Sequence, residues 1–111
     1  MNLGIKNKLA LITGSSKGIG RAIATELAKE GAQLILVART EKHLKELSRE
    51  LANSPKPHYY FATNLMAVGA PEKLAKSILK GVGAPQIIVH NLGGSLGITD
   101  FFRSSDEWNK V

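Results

Sequence analysis

The sequence has 111 residues, of which 43% are apolar and none is cysteine, and its formal net charge is +6. This length allows at most one domain, and the apolar fraction is enough for a hydrophobic core. The lack of cysteine excludes a disulfide framework and a thiolate metal site. No apolar run approaches the length of a membrane span, and the N-terminus lacks the apolar core of a signal peptide, so a cytoplasmic protein without membrane contact is expected.

The positive charge raises the possibility of nucleic-acid binding. However, the lysines alternate with glutamates along the chain, as is typical of solvated helix faces. The sequence contains no basic block and no aromatic motif for stacking on RNA bases. Nucleic acid is therefore not expected as a partner, although salt-dependent binding to DNA or RNA would restore this interpretation.

Strand-like and helical patterns alternate along the chain. The four apolar, strand-like runs are Leu9–Thr13, Gln33–Ala38, His58–Ala62 and Gln86–His90. The apolar stripes of the three helical patterns between them are Ile19, Ala22, Ile23 and Leu27, then Leu44, Leu47 and Leu51, then Leu74, Ile78 and Leu79. Gly31 is expected to end the first helix and Pro71 to lie at the start of the third. A last helix is predicted to begin near Ser104 or Ser105.

The order β-α-β-α-β-α-β predicts an α/β fold with a parallel sheet covered by helices on both faces. Right-handed crossovers leave few topologies, and the commonest is the Rossmann-type doubly wound sheet. Residues 1–111 are therefore expected to form part of a single nucleotide-binding domain with an incomplete sheet.

The stretch TGSSKGIG lies between the first strand and the first helix. Gly14 allows a tight turn, Gly18 lets a ligand approach the backbone, and Gly20 allows close packing of helix on strand. The turn presents the unpaired N–H groups of a helix N-terminus, to which Ser15 and Ser16 add hydroxyl donors. The stretch predicts a phosphate site.

TGxxxGxG followed by RAIA resembles the short-chain dehydrogenase/reductase family, which includes the 3-oxoacyl-carrier-protein reductases. VART, ATNL, HNLGG and SSDEWNKV occur in the same order as the corresponding segments of that family. The resemblance implies an oxidoreductase that transfers hydride between a nicotinamide cofactor and a carbonyl or alcohol substrate. It also implies a sheet order beginning 3-2-1-4 and a homo-oligomer in the full-length form.

The end of the second strand selects the cofactor in that family. An acid there would bind the ribose 2′-hydroxyl of NAD, but the strand here is followed by Arg39 and Thr40. Arg39 offers a planar fork to a 2′-phosphate, and Lys17 can add a second positive charge. The resemblance therefore implies NADP(H), bound also by Ile19 of the glycine motif.

Two further segments complete the cofactor site implied by the resemblance. Asn64 and Leu65 would contact the adenine, whereas Asn91 and Gly93 would lie beside the ribose nearer the nicotinamide. His90 and Leu92 depart from the Asn-Asn-Ala-Gly of the family. The three histidines have no paired metal-ligand spacing, so no metal site is expected.

The catalytic Ser, Tyr and Lys of the family have no counterpart in this sequence. Tyr59 and Tyr60 are followed four residues later by Thr63 and Asn64 rather than by Lys. No catalytic residue is assigned, and the chain is expected to be the inactive N-terminal portion of an enzyme. The alternative is a stand-alone, non-catalytic nucleotide-binding or regulatory module.

Overall fold

The computed structural model describes residues 4–14, 18–52 and 57–90. Strands and helices alternate through these residues in the predicted order. They are β1 (Leu9–Thr13), α1 (Gly18–Lys29), β2 (Gln33–Ala38), α2 (Glu41–Glu50), β3 (Tyr59–Ala62), α3 (Ala70–Gly81) and β4 (Ile87–His90). The sequence predicted β1 and β2 with these bounds, whereas β3 and β4 each begin one residue later than expected.

The four strands form one parallel sheet in the order β3-β2-β1-β4. Thr13 pairs with Val37 on one side and with His90 on the other, and Ala38 pairs with Ala62. These registers bring the carboxyl ends of all four strands to one edge, which we call the carboxyl edge. The doubly wound, Rossmann-type prediction is confirmed, and so is the strand order.

Each face of the sheet has its own buried cluster because successive strand residues point to opposite faces. The cluster under α1 and α2 contains Ala10, Ile12, Ala24, Ala28, Ala32, Leu34, Leu36, Ala38, Leu44, Leu47 and Leu51. The cluster under α3 contains Leu11, Ile35, Val37, Leu65, Leu74, Ala75 and Ile78. Burying one Leu or Ile side chain contributes about 1.5–3 kcal/mol. We expect the two clusters to be the main source of stability.

The buried face of α1 differs from the predicted stripe. Gly20, Ala24 and Ala28 face the sheet, whereas Ile19 is 71% exposed and Ala22 is also exposed. The prediction was wrong at these two positions because residues four apart with small side chains let the helix approach the strands closely. Ile23 and Leu27 flank this face and pack on the core in part.

The predicted stop of α1 at Gly31 is confirmed, whereas Pro71, expected at the first position of the third helix, lies one residue later. Gly31 has a φ of 90°, and the Ala32 N–H donates to the Leu27 carbonyl at 3.1 Å, which is the geometry of a Schellman stop. Pro71 is the second residue of α3, where its missing N–H costs no helical hydrogen bond.

Several sequence predictions fall outside the described residues. They concern Ser15, Ser16, Lys17, Asn91, Gly93 and the helix expected near Ser104 or Ser105. Among the helices that the structure does describe, none is long and apolar enough to cross a bilayer. The residues that the structure describes contain no group of three His, Asp or Glu side chains placed to hold a metal ion.

Candidate functional site

Gly14 and Gly18, which lie on either side of the turn between β1 and α1, are at the carboxyl edge; we call this the glycine turn. Gly14 and Gly18 both have left-handed φ values, 66° and 54°, and α1 begins at Gly18. A Cβ built on Gly18 would meet no atom within 4 Å, so its backbone faces open space. The first turn of α1 contains no acidic residue. Since the first N–H groups of a helix lack helical partners, this turn can bind an anion.

Arg39 and Thr40 follow β2 at the same edge, one strand away from the glycine turn, or about 5 Å in the hydrogen-bonding direction. Both are exposed, and within the described part of the chain Arg39 forms no ion pair or hydrogen bond. Thr40 is the N-cap of α2, but its hydroxyl makes no capping hydrogen bond. Glu41, the next acidic residue along the chain, pairs with Lys45 one helical turn later at 3.9 Å. Arg39 is therefore a solvent-facing cation beside a helix N-terminus.

The segment after β3 also lies at the carboxyl edge, next to the end of β2. The Thr63 N–H donates to the Ala38 carbonyl at 2.8 Å, which continues the ladder beyond β3. Asn64 is exposed, and its Oδ1 accepts from the Met66 N–H at 3.0 Å, so its side chain stabilises a turn. Leu65 is 4% exposed and belongs to the core cluster under α3. Asn64 is therefore the exposed residue of this pair.

The opposite edge, at which the strands begin, is called the amino edge. Side chains form hydrogen bonds with the backbone there, and the sequence did not predict these contacts. The Leu34 N–H donates to His58 Nδ1 at 3.0 Å, and Gln33 Nε2 donates to the Pro57 carbonyl at 2.9 Å. Because Nδ1 accepts, the neutral ring carries its proton on Nε2. This nitrogen is buried, and no described residue accepts from it. Burial lowers the pKa of His58 below its ordinary value, so the ring is held neutral.

Gln86 closes the amino edge in the same way between β1 and β4. Its Oε1 accepts from the Leu9 N–H at 3.0 Å, and its backbone N–H donates to the Leu9 carbonyl at 2.8 Å. A polar residue immediately before each of β3 and β4 was the only available sequence signal for these closures. The sequence pattern predicts both residues as the first residues of the strands.

Two shallow grooves flank β3 and reach its carboxyl end. A groove of about 200 Å³ is lined by Glu41, Leu44, Lys45, Ser48, Tyr60 and Ala62. The other, of about 220 Å³, is lined by Phe61, Thr63, Ala70, Lys73, Leu74 and Ser77. Among the described residues, neither groove is lined by Gly14, Gly18 or Arg39. Burial in the first groove's wall raises the pKa of Tyr60. We therefore locate the candidate site from backbone geometry and charge rather than from cavity size.

The sequence matches a known protein family. The family described as short chain dehydrogenase matches residues 8–111. The chain belongs to the short chain dehydrogenase family. Its sequence is 41% identical over 86 residues to an NADPH-dependent pterin aldehyde reductase of Arabidopsis thaliana, covering 78% of this chain and 35% of that protein. It is 35% identical over 109 residues to a 3-oxoacyl-[acyl-carrier-protein] reductase of Vibrio harveyi, covering 98% of this chain and 43% of that protein.

Solved structures of short chain dehydrogenases share the fold. L-sorbose reductase from Gluconobacter frateurii, crystallised with NADPH and L-sorbose, superposes with a TM-score of 0.76 at 38% identity, covering 85% of this chain and 36% of that one. The chain spans less than half the length of the curated relatives that it matches. Membership of an oxidoreductase family therefore follows from the match, whereas the activity of a whole enzyme is a matter for proposal.

Proposed function

We propose that this chain forms the NADP(H)-binding part of an oxidoreductase that transfers hydride between the nicotinamide and a carbonyl or alcohol substrate. The single observation that carries the proposal is the exposed Arg39, which has no partner among the described residues and follows β2 one strand away from Gly14 and Gly18. A relative named as NADPH-dependent and a structural neighbour crystallised with NADPH support it.

The residues of the carboxyl edge fit the cofactor. Open space above Gly18 can receive a pyrophosphate, whose charge the N–H groups of α1 stabilise. Gly14, Ser15, Ser16, Lys17, Ile19 and Gly20 complete this part of the proposed site. Arg39 and Thr40 would hold the ribose 2′-phosphate, since the guanidinium binds phosphate bidentately and the Thr40 hydroxyl lacks a capping partner.

The remaining proposed contacts are to the adenine and to the ribose nearer the nicotinamide. Asn64 Oδ1 accepts from the Met66 N–H and can accept a second hydrogen bond, for which the described residues supply no donor. We assign Asn64 to the adenine, together with the neighbouring Leu65. We assign Asn91 and Gly93 to the second ribose. The bound cofactor supplies the hydride, while the residues of this chain bind and orient it.

Turnover also needs a group that gives a proton to the developing alkoxide. We propose that these 111 residues alone do not catalyse the reaction, since neither Tyr59 nor Tyr60 has a Lys four residues later. We further propose that the active enzyme is a cytoplasmic homo-oligomer, and that residues 1–111 contribute one part of its nucleotide-binding domain.

Titration calorimetry of the 111-residue protein with NADPH and NADH tests the proposal. We expect NADPH to bind at least about tenfold more tightly, because a charge-assisted contact to the 2′-phosphate contributes about 1.5–3 kcal/mol. Equal affinity for the two cofactors would contradict the assignment of Arg39. Consumption of NADPH by the pure protein with a carbonyl compound would contradict the absence of turnover.

A further inference from the structure

One ion pair joins the two helices that begin at the carboxyl edge. Arg21, the fourth residue of α1, donates from Nε to Glu50 Oε2 at 3.0 Å, and its Nη2 contacts Glu50 Oε1. Glu50 is the last residue of α2. Within residues 4–14, 18–52 and 57–90 this is the only side-chain hydrogen bond or ion pair between α1 and α2. The contact is bidentate, so it fixes orientation as well as distance.

The same two helices provide both proposed phosphate contacts. The N-terminus of α1 follows the glycine turn, and the N-cap of α2 follows Arg39. Both helices pack on one face of the sheet, where Ala24 and Leu47 belong to the same buried cluster. A contact that holds the far end of α2 against the first turn of α1 therefore limits the tilt of α2 and the separation of the two helix starts.

We infer that the Arg21–Glu50 pair is a positioning pair, which sets the spacing between the pyrophosphate contact on α1 and the 2′-phosphate contact beside α2. This inference rests on the proposed function. Neither residue needs to touch the cofactor, because Arg21 is engaged by Glu50 rather than left free for a phosphate. The side chains of Arg21 and Glu50 are 35% and 46% exposed, so the coupling is that of a well-formed surface pair, worth up to about fivefold in an equilibrium constant.

A ligand with two phosphates reports this spacing, whereas a ligand with one does not. Adenosine 2′,5′-bisphosphate would engage both contacts, but adenosine 5′-monophosphate would engage only the contact on α1. Looser spacing lowers the effective concentration of the second phosphate at its subsite after the first has bound. The ratio of the two affinities removes any change in folded fraction, because that change affects both ligands alike. A simple charge effect is recognised separately: Arg21→Gln and Glu50→Gln change the charge in opposite directions and would move the ratio in opposite directions, whereas a loss of positioning lowers it in both.

The experiment measures both affinities by titration calorimetry for the wild-type protein and for Arg21→Gln, Glu50→Gln and the double variant. Each single variant is expected to lower the ratio about two- to fivefold, and the double variant to lower it no further. Arg21→Lys, which keeps the charge but loses the fork, should lower it less and serves if a neutral variant does not fold. Glu72→Gln and Lys76→Gln are matched controls, since they remove an exposed helical pair of 3.2 Å on the opposite face of the sheet.

The outcomes separate the inference from the function on which it rests. If the wild-type protein does not prefer the bisphosphate, the proposed NADP(H) site is wrong and the inference falls with it. If the wild-type preference is clear but unchanged in the Arg21 and Glu50 variants, the site stands and the positioning role is overturned. A fall in the ratio confined to these variants supports the positioning role.

Discussion

The amino edge and the carboxyl edge of the sheet differ in whether their polar groups have hydrogen-bond partners among the described residues. At the amino edge, His58 and Gln86 each accept a backbone N–H from the neighbouring strand and so extend the ladder. At the carboxyl edge, Gly18 presents backbone to open space and Arg39 has no partner within the described residues. We propose that the amino edge serves stability, whereas the carboxyl edge keeps donors and a cation for a ligand.

The largest effect is expected from reversing the charge at the carboxyl edge. Arg39→Asp replaces an attraction to the 2′-phosphate by a repulsion and should weaken NADPH binding by about 100-fold. Binding of NADH, which lacks this phosphate, should change by less than about threefold. Arg49→Asp makes the same charge change at an exposed position in the last turn of α2 and is the control. An equal loss for both cofactors in Arg39→Asp would show that the residue does not read the 2′-phosphate.

Removing a closure of the amino edge should cost stability without changing cofactor choice. His58→Ala leaves the Leu34 N–H without its acceptor, at a cost of about 1–3 kcal/mol in the free energy of unfolding. Urea unfolding measures this loss. His43→Ala, on α2, should cost less than about 1 kcal/mol. A His58→Ala protein as stable as the wild type would remove the distinction between the two edges.

The glycine turn can be tested by adding a single methyl group. Gly18→Ala meets no clash but places a side chain at a φ of 54°, so it should lower the free energy of unfolding by about 1–2 kcal/mol. Gly81→Ala also meets nothing within 4 Å, but Gly81 lies at the end of α3 without a positive φ. That variant should be neutral or more stable by up to about 1 kcal/mol. Equal effects in thermal melts would mean that the left-handed turn is not what requires glycine at position 18.

The smallest expected effect is on the pH dependence of stability. Burial lowers the pKa of His58 in the folded protein below the ordinary value of 6.5, so on acidification the unfolded chain binds a proton first. The contribution of the neutral ring is complete above pH 6.5 and is lost as the pH falls toward the lowered pKa. Urea unfolding between pH 7.5 and 5.5 should show a shallower loss in His58→Gln than in the wild type. A steeper loss in the variant would reverse the assigned direction.

Most of the described carboxyl edge could be predicted from the sequence because its residues form short segments, each of which directly follows the end of a strand. Gly14, Gly18 and Arg39 needed only the strand order to be brought together. Leu65 was different, since its motif position could not show that the residue is buried in the core. The exposure of Ile19 was also missed, because an apolar residue at helical spacing is ordinarily a core residue.

The amino edge was not predictable in the same way. Gln33, His58 and Gln86 act between strands, so their roles depend on the register of the sheet and not on local spacing. The Arg21–Glu50 pair likewise joins positions 29 apart on two helices. Such contacts require the packed structure, since no propensity or periodicity marks them.

The central position of β1 affects how the molecule is made. β1 receives β2 through a short local crossover, but its other neighbour, β4, returns from 77 positions away, as the Leu9–Gln86 contact shows. On the ribosome, the β1-α1-β2 unit can form as soon as it emerges, whereas β4 follows roughly a few seconds later. During that interval one side of β1 carries unpaired backbone groups beside Ala10, Leu11 and Ile12, which are fully buried in the finished fold. During synthesis the chain therefore passes through a state with an exposed, aggregation-prone strand edge. The duration of that state is set by the rate of translation through α2, β3 and α3.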